Sequence, residues 1–320
     1  MKFLFILNPV AGKGREPGNL IEKIKKTSQE QNVECDVYVT ESYRDAEKYT
    51  ASYLKGIEEG ETVRIISMGG DGTLNEIING AIPFFDSHNV QIGSMPLGSG
   101  NDFIRNFKDG YFKNIAGQIG GETEKVDVIS YEYEKAGIPK KRYCANMLNI
   151  GFDCEVAVTM STLKDKPFLR GSGLYLASVF ITLTRKKTIG LFIELDGIDT
   201  YTGEVLLAAV GNGCFCGGGI KAAPRASLKD GLLDVGVAVN MSTPKLLKLF
   251  PKYIKGTHLE DKQGKKVVTY YQAKEVKVSS KGEEINVCID GEPEKFKEFT
   301  MKVEPLRMNF VVPKKQKHED

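Results

Sequence analysis

The sequence has 320 residues, of which 41% are hydrophobic and 27% are charged, and its formal net charge is +2. This length is comfortable for two domains, and the composition is ordinary for a globular protein. The near-neutral charge gives no global electrostatic case for nucleic acid, so we expect no nucleic-acid partner, and any attraction to an anionic surface must come from a local patch.

The apolar segments are too short to act as targeting or membrane-spanning segments. The run at residues 3–7 is shorter than the hydrophobic region of a signal peptide, and Asn8-Pro9 ends it, so it predicts a first strand. Residues 174–183 fall well short of the roughly 18 apolar residues that cross a bilayer. The 6 cysteines are scattered, and the 3 histidines have no zinc spacing. We therefore expect a cytoplasmic protein with reduced thiols.

Predicted strands and helices alternate along the first hundred residues. Short apolar or β-branched runs predict strands, and charged periodic segments between them predict helices. This alternation is typical of a parallel sheet covered by helices on both faces, in which ligands bind beyond the carboxyl ends of the strands. The strands are predicted at 3–7, 34–39, 64–68 and 90–95, and the helices at 18–31 and 45–59.

Three polar, glycine-rich loops follow three of these strands. They cover residues 8–15, 69–75 and 96–103, and Thr40 ends the remaining strand. Because the carboxyl ends of parallel strands meet at one edge, we expect these loops to lie together. The first loop is not a Walker A loop, since no glycine precedes Gly12-Lys13 at the required spacing and no Ser or Thr follows Lys13.

The second loop leads from a buried strand into a helix through three glycines around one carboxylate, Asp71. Glycines let a ligand approach the backbone, and a helix start offers unpaired N–H groups to an anion. The other interpretation is a tight turn in which Asp71 only caps a helix. The loop alone does not distinguish a phosphate site from a structural turn.

The pattern changes after about residue 125, where strands separated by turns predict a mainly antiparallel β domain. Two helices are expected there, at 173–183 and from Thr243 to Lys255. The strands are predicted at 143–151, 189–196, 204–211, 233–239, 267–278, 284–289 and 300–312.

The motifs together resemble the diacylglycerol kinase catalytic family, which includes sphingosine and ceramide kinases and soluble bacterial lipid kinases. The resemblance covers nearly the whole chain, whereas the Gly-Asp-Gly-Thr element alone is also found in NAD kinases. The motifs are Asn8-Pro9-Val10-Ala11-Gly12-Lys13-Gly14, Gly69-Gly70-Asp71-Gly72-Thr73-Leu74-Asn75-Glu76, Gly98-Ser99-Gly100-Asn101-Asp102-Phe103, Asn149-Ile150-Gly151-Phe152-Asp153, Gly217-Gly218-Gly219 with Pro224 and Ala226, Asp230-Gly231-Leu232-Leu233-Asp234 and Asp290-Gly291-Glu292.

The resemblance implies an α/β fold class with two domains. Residues 1–127, with about 301–320 returning, would form an ATP-binding α/β domain like that of NAD kinase or phosphofructokinase. Residues 128–300 would form a mainly antiparallel β-sandwich that binds the lipid, with the active site between the domains. The implied activity is transfer of a phosphoryl group from ATP, with Mg²⁺, to a lipid hydroxyl.

The resemblance also assigns the nucleotide residues. Lys13 has the alternative interpretation of a solvated loop lysine, and Ser99 replaces a Thr common in relatives while keeping the hydroxyl. The residues implied to bind ATP are Asn8, Pro9, Gly12, Lys13, Gly14, Thr40, Gly69, Gly70, Asp71, Gly72, Thr73, Asn75, Ser99 and Asn101.

Two carboxylates are the predicted catalytic residues. Glu292 resembles the general base of the bacterial enzymes, which accepts the proton of the lipid hydroxyl. Asp71 is assigned to the nucleotide and magnesium side. Relatives in the sphingosine branch are described with these roles reversed, and Glu292 judged alone would be a surface residue.

A second Mg²⁺ site is implied by the loop at residues 227–232. Family members bind a structural ion there through one Asp and two backbone carbonyls, which match Asp230, Ser227 and Leu232. In the family, acidic residues that match Asp102 and Asp127 connect this ion to the active site. An oxygen-only site suits Mg²⁺. The alternative interpretation is an Asp-Gly turn.

Access to a membrane lipid substrate is the last expectation. Lys248, Lys252 and Lys255 lie at helical spacing and predict either a basic interfacial helix or an ordinary solvated face.

Diacylglycerol is the first-choice acceptor, and a sphingoid base, phosphatidylglycerol or undecaprenol are the alternatives. A weakly catalytic ATP-binding regulatory protein is the alternative of another class. A homodimer is possible, and peripheral association with a membrane is expected.

Overall fold

A computed structural model describes residues 1–11, 17–108, 110–163 and 172–314. The chain divides into two compact units. The first unit contains Met1–Val128 and the segment that begins at Glu304, and the second contains Ile129–Val303. Two long strands, β5 (Glu122–Lys135) and β15 (Glu298–Val312), contribute residues to both units.

The first unit alternates strands with helices, as predicted. Its strands pair in the order β2-β1-β3-β4-β15, and every pairing is parallel. Short 3-10 helices lie at Ile82–Phe84 and Phe103–Asn106. The main elements are β1 (Lys2–Leu7), α1 (Pro17–Glu30), β2 (Cys35–Val39), α2 (Asp45–Lys55), β3 (Thr62–Gly69), α3 (Asp71–Ala81), β4 (Asn89–Pro96) and α4 (Ile115–Gly120).

The central strands of this sheet are buried on both faces. Five of the six residues of β1 and seven of the eight of β3 are buried, which explains their continuous apolar sequences. Phe5, Ile66 and Met68 belong to the same core cluster as Ile24 of α1. The parallel α/β architecture is therefore confirmed.

The second unit is mainly antiparallel. Its strand order runs β14-β13-β7-β9, and β9 then pairs with both β8 and β10 along different parts of its length. The elements are β6 (Ile138–Cys144), β7 (Met147–Gly151), α5 (Phe152–Leu163), α6 (Ser172–Thr184), β8 (Ile189–Leu195), β9 (Ile198–Gly211), β10 (Leu233–Val239), α7 (Thr243–Lys255), a 3-10 helix (Gly264–Lys266), β11 (Val268–Ala273), β12 (Glu275–Ser280), β13 (Ile285–Ile289) and β14 (Glu292–Phe296).

Two predicted strands are each two strands in the structure. The strand expected at 143–151 is interrupted at Ala145-Asn146, and the one expected at 267–278 is interrupted at Lys274. The second break has a local cause, since Asp196 Oδ1 accepts hydrogen bonds from the amides of Lys274 (2.9 Å) and Glu275 (2.8 Å).

Helix α5 was not predicted. Its sequence is rich in β-branched residues and has no clear polar face, because it packs against α6, β7 and β13. The predicted helix from Thr243 to Lys255 is confirmed as α7. No helix within the described ranges is both long and apolar enough to cross a membrane.

Candidate active site

The carboxyl edge of the parallel sheet carries the polar loops of the first unit. Leu7 pairs with Val39 and Met68, and Met68 pairs with Met95. Asn8, Thr40, Gly69 and Pro96 therefore follow at the same level of adjacent strands. The prediction that the loops emerge at one edge is confirmed for the residues that the structure describes. Gly12, Lys13 and Gly14 lie outside the described residues.

The first loop is hydrogen-bonded to the second. The Asn8 side-chain amide donates to Thr73 Oγ1 (3.0 Å), and its Oδ1 accepts from the amide of Val10 (3.1 Å). Thr73 is buried in the first turn of α3. These bonds fix the start of the first loop against the helix start at which an anion would bind.

The second and third loops touch through backbone atoms. The amides of Leu97 and Gly98 both donate to the Gly69 carbonyl, at 2.9 and 3.0 Å. A Cβ on Gly98 would lie 2.5 Å from the Gly70 Cα, closer than any side chain tolerates. Gly98 is thus required by the contact between the loops.

Asp71 is the first residue of α3, and its cap position is Gly70. Its Oδ1 accepts the amides of Asp102 (2.8 Å) and Phe103 (3.3 Å) at the start of the 3-10 helix Phe103–Asn106. Asp71 thus has a structural contact, but it caps a neighbouring segment rather than its own helix. A Cβ on Gly100 would lie 2.9 Å from the other oxygen, Oδ2.

The remaining predicted nucleotide residues also belong to this edge. Asn101 has a left-handed backbone (φ 51°), and its side-chain amide donates to the Gly98 carbonyl (2.7 Å). Asn75 Oδ1 accepts from Asn79 one turn further along α3 (3.1 Å). Pro9 and Gly72 are partly exposed, and Ser99 is exposed. The edge therefore presents small, polar and glycine residues.

Asp102 and Asp127, predicted as a relay to a metal, are both buried in the first unit. Asp102 lies 3.4 Å from the Arg105 guanidinium. Asp127 Oδ1 accepts the amide of Leu306 (2.7 Å), whose φ is 50°. Asp127 thereby stabilises an irregular residue within β15.

In the second unit, Glu292 lies where the ends of β9 and β13 meet the start of β7. Strand registers place the start of β7 beside the end of β9, and the end of β13 beside β7. Ile289 pairs with Glu292, so Asp290 and Gly291 form a two-residue turn between β13 and β14. Glu292 is exposed at the first position after this turn.

The predicted metal loop lies beside the same strand ends, immediately before β10, whose Asp234 pairs with Gly211. Asp230 is exposed, its Oδ1 accepts the amide of Leu232 (3.1 Å), and Gly231 has φ 68°. One carboxylate beside backbone carbonyls is a hard-oxygen donor set that suits Mg²⁺. Ser227 is exposed in the same loop. Among the described residues, no three His, Cys, Asp or Glu side chains group as metal ligands.

Sequence reasoning missed a narrow apolar pocket in the second unit. Its volume is about 40 Å³, and it lies between α7, the start of α5 and the faces of β9 and β10 that these helices cover. Its walls include Phe152, Leu207, Leu246 and Phe250. The contributing segments are distant in sequence, so no local pattern predicts the pocket.

Three polar side chains also line this pocket. The Tyr253 hydroxyl donates to the Asp153 carboxylate, and the centroids of the His258 and Tyr253 rings lie 5.1 Å apart. Burial lowers the pKa of His258 to about 4, so the ring is neutral at neutral pH. His258 Nδ1 has no hydrogen-bond partner among the described residues.

Asp153 gives the fold a predicted pH dependence. Burial raises its pKa to about 6, although the Tyr253 hydrogen bond opposes the shift. A carboxyl whose pKa is higher in the folded than in the unfolded state favours folding when protonated. We expect the free energy of unfolding to rise as the pH falls from about 7 to about 4, by about 2 kcal/mol from this group.

Denaturant unfolding of the wild type and Asp153→Asn at several pH values measures this effect. The neutral side chain is expected to remove this part of the pH dependence, with the largest gain in stability above pH 7. The same pH dependence in both proteins would contradict the assignment.

Helix α7 buries Leu246 and Leu249 and exposes Leu247, Lys248, Pro251 and Lys255. Lys252, predicted to share the basic face, instead pairs with Asp261. That contact, together with the Gly264 and Gln263 amides, lowers the pKa of Asp261 to about 2. The exposed basic face therefore contains Lys248 and Lys255 beside an exposed leucine.

Comparison with known proteins gives two family matches. The model described as "Diacylglycerol kinase catalytic domain" matches residues 2–131, and the model described as "YegS C-terminal NAD kinase beta sandwich-like domain" matches residues 146–312. The second match confirms the predicted antiparallel β-sandwich.

Individual proteins are similar over most of the chain. A diacylglycerol kinase of Mycobacterium tuberculosis is 30% identical, over 72% of this chain and 71% of that protein. A probable lipid kinase, YegS-like, of Yersinia enterocolitica is 26% identical over 97% and 96%. A solved structure of a diacylglycerol kinase from Bacillus anthracis has a TM-score of 0.66 and 22% identity, covering 97% of this chain and 96% of that one. The structural likeness shows the same fold.

Proposed function

The chain belongs to the diacylglycerol kinase catalytic family of lipid kinases, and from this premise we propose that it transfers the γ-phosphate of ATP to the free hydroxyl of diacylglycerol. The product would be phosphatidic acid. The same chemistry on a sphingoid base, phosphatidylglycerol or undecaprenol is the alternative.

Phosphoryl transfer needs positioned phosphates, neutralised charge and a base for the attacking hydroxyl. The edge of the first unit supports the first requirement. Its backbone N–H groups lie at the start of α3 and in the residues that follow Gly98; the Leu97 and Gly98 amides donate to the Gly69 carbonyl at 2.9 and 3.0 Å and hold that loop in place. Asn8 and Thr73 stabilise this edge, and Asp71 would contribute the carboxylate that faces a magnesium–nucleotide complex.

Magnesium would supply electrostatic stabilisation of the phosphate oxygens. Asp71 fits this task because its Oδ1 is oriented by the amides of Asp102 and Phe103, which holds the carboxylate still. Asp230, with the carbonyls of Ser227 and Leu232, would bind a second, structural ion.

Glu292 would act as the general base. Glu292 is an exposed residue directly after a two-residue turn. A base must reach the proton that it removes, and an exposed residue beside a short turn suits this task. The lipid hydroxyl would lose its proton to Glu292 as its oxygen attacks the terminal phosphorus, and the bond from that phosphorus to the bridging oxygen would break and release ADP.

The observation that carries the lipid assignment is the family membership, since the two family matches cover residues 2–131 and 146–312. Relatives that match over most of the chain are named diacylglycerol kinase and probable lipid kinase. The pocket beneath α7, at about 40 Å³, is much smaller than the roughly 300–1,000 Å³ of a typical ligand site and is too small for an acyl chain.

Competition among acceptors tests the choice of lipid. Purified protein would receive γ-labelled ATP and mixed micelles that contain diacylglycerol, a sphingoid base, phosphatidylglycerol and undecaprenol in equal amounts. We expect diacylglycerol to take up most of the label. Preferential labelling of another lipid would replace the acceptor, and transfer to none would contradict the kinase assignment.

The exposed face of α7 supports a contact with an anionic bilayer, because Lys248 and Lys255 are exposed beside the exposed Leu247. Each basic residue near such a surface contributes about 1 kcal/mol. We expect Lys248→Glu with Lys255→Glu to reduce binding to anionic vesicles by about 10-fold or more, as measured by co-sedimentation.

The matched control is Lys23→Glu with Lys26→Glu on α1, where both lysines are exposed. This pair changes the net charge equally and is expected to bind vesicles more strongly than the α7 pair. Equal losses in the two variants would indicate a general charge effect and contradict a specific contact through α7.

A further inference from the structure

The turn before Glu292 has an unusual backbone. Asp290 and Gly291 have φ values of 47° and 91°, the two positive angles of a type I′ hairpin turn. A residue other than glycine adopts a positive φ at a cost in free energy, which local contacts must offset.

The Asp290 carboxylate is buried in a ring of donors. Both oxygens accept hydrogen bonds, although Asp290 lies in the turn that follows β13. The donors to Oδ1 are the amides of Asn146 (3.1 Å) and Met147 (3.1 Å) and the Cys144 thiol (3.0 Å), and the donor to Oδ2 is the amide of Ala145 (2.9 Å). Successive amides around a carboxylate form a strong, charge-assisted anchor.

The anchored loop continues the network to the end of β9. The Asn146 carbonyl accepts the amides of Asn212 (2.8 Å) and Gly213 (3.0 Å), and its side-chain amide donates to Phe215. The Asn212 side-chain amide donates to the Ala145 carbonyl (2.8 Å). One network therefore joins the Glu292 turn to the two neighbouring loops.

A second turn in the same unit shows what such a turn requires. Asp196 and Gly197 join β8 to β9 with φ values of 51° and 79°, and Leu195 pairs with Ile198. Asp196 is exposed, and its carboxylate accepts two amides through one oxygen. An Asp-Gly turn can thus form without the burial and the ring of donors found at Asp290.

We propose that Asp290 is a positioning residue, which fixes the turn so that Glu292 is aligned with the acceptor hydroxyl. This inference rests on the proposed role of Glu292 as the base. Alignment is costly to lose, since an error of 1 Å in a reacting group reduces the rate by about 100-fold. The network makes the base part of a rigid edge rather than a mobile hairpin.

The test compares Asp290→Asn with Asp196→Asn. The Asn side chain would direct its own NH₂ group at donors that the carboxylate now accepts, so hydrogen bonds that fix the turn would be lost. We therefore expect kcat to fall by about 10- to 100-fold with the KM for ATP unchanged. Asp196→Asn is expected to keep kcat within about 2-fold, because its turn carries no reacting group. Equal activity in the two variants would overturn the proposal.

A double variant separates positioning from general damage. When Glu292→Gln is already present, adding Asp290→Asn is expected to change the residual rate by less than about 2-fold, because Asp290 acts through Glu292. A purely structural role would lower the rate by the same factor in both backgrounds, which would overturn the proposal.

A glycine pair gives the same comparison without touching the buried carboxylate. Gly291→Ala and Gly197→Ala each place a Cβ in open space at a positive φ. We expect similar falls in Tm but a loss of kcat only for Gly291→Ala. Equal kcat in this pair would overturn the proposal even if Asp290→Asn does not fold.

The variants of Glu292 and Asp290 distinguish loss of the general base from loss of the positioning role. Full turnover in Glu292→Gln alone would remove the base and the positioning role together. Loss of turnover in Glu292→Gln, with full turnover in Asp290→Asn and Gly291→Ala, would overturn only the positioning role.

Discussion

Glu292→Gln is expected to fold normally, to bind ATP as tightly as the wild type and to lose turnover by about 100-fold or more, the usual scale for a general base. The substitution keeps the shape of the side chain and removes the oxygen that accepts a proton. Glu292 is exposed directly after the turn, so the substitution should change the free energy of unfolding of the protein little. Labelled-lipid formation measures kcat, and nucleotide titration measures binding.

The control for this variant is Glu284→Gln, an exposed carboxylate just before the other end of β13. It removes the same charge at a distance from the turn and is expected to leave kcat within about 2-fold. Turnover retained by Glu292→Gln, or lost equally in both variants, would rule out Glu292 as the base.

Asp71→Asn is expected to lower kcat by about 100-fold or more, the scale for losing one preorganised electrostatic group. Asn Oδ1 can still accept the amides of Asp102 and Phe103, so the loop contact persists. If Asp71 served only as a cap, the substitution would cost about 0.3–1 kcal/mol of stability at a helix N-terminus and little activity.

Asp45→Asn provides the comparison, because Asp45 is the first residue of α2 and accepts the amide of Glu41 (2.8 Å). We expect both variants to show a similar small fall in Tm, with a large loss of kcat only for Asp71→Asn. A lower Tm with unchanged kcat in Asp71→Asn would show that Asp71 has only a structural role.

Periodicity predicted the first unit well because its strands are buried on both faces. Such strands appear as continuous apolar runs, as in β1 and β3. Their parallel pairing brings each carboxyl end to one edge, so the meeting of the loops at Asn8, Gly70 and Gly98 followed from local sequence alone.

The second unit was harder to predict because distant contacts decide its local structure. The break between β6 and β7 is held by Asp290, which lies 144 positions beyond Asn146. The pocket joins Asp153 to Tyr253 across 100 positions. Helix α5 shows neither strand alternation nor a helical polar face, because it is covered by other elements. The roles of Glu292 and Asp230 came from the family resemblance, since each residue alone suggests an ordinary surface position or turn.

The most direct test is transfer of label from γ-labelled ATP to diacylglycerol in mixed micelles, with and without Mg²⁺. We predict that labelled phosphatidic acid forms in proportion to the wild-type protein, that chelation of Mg²⁺ stops it, and that Glu292→Gln and Asp71→Asn form it at least about 100-fold more slowly. Absence of labelled lipid with the wild type, or equal rates in all three proteins, would contradict the proposed function.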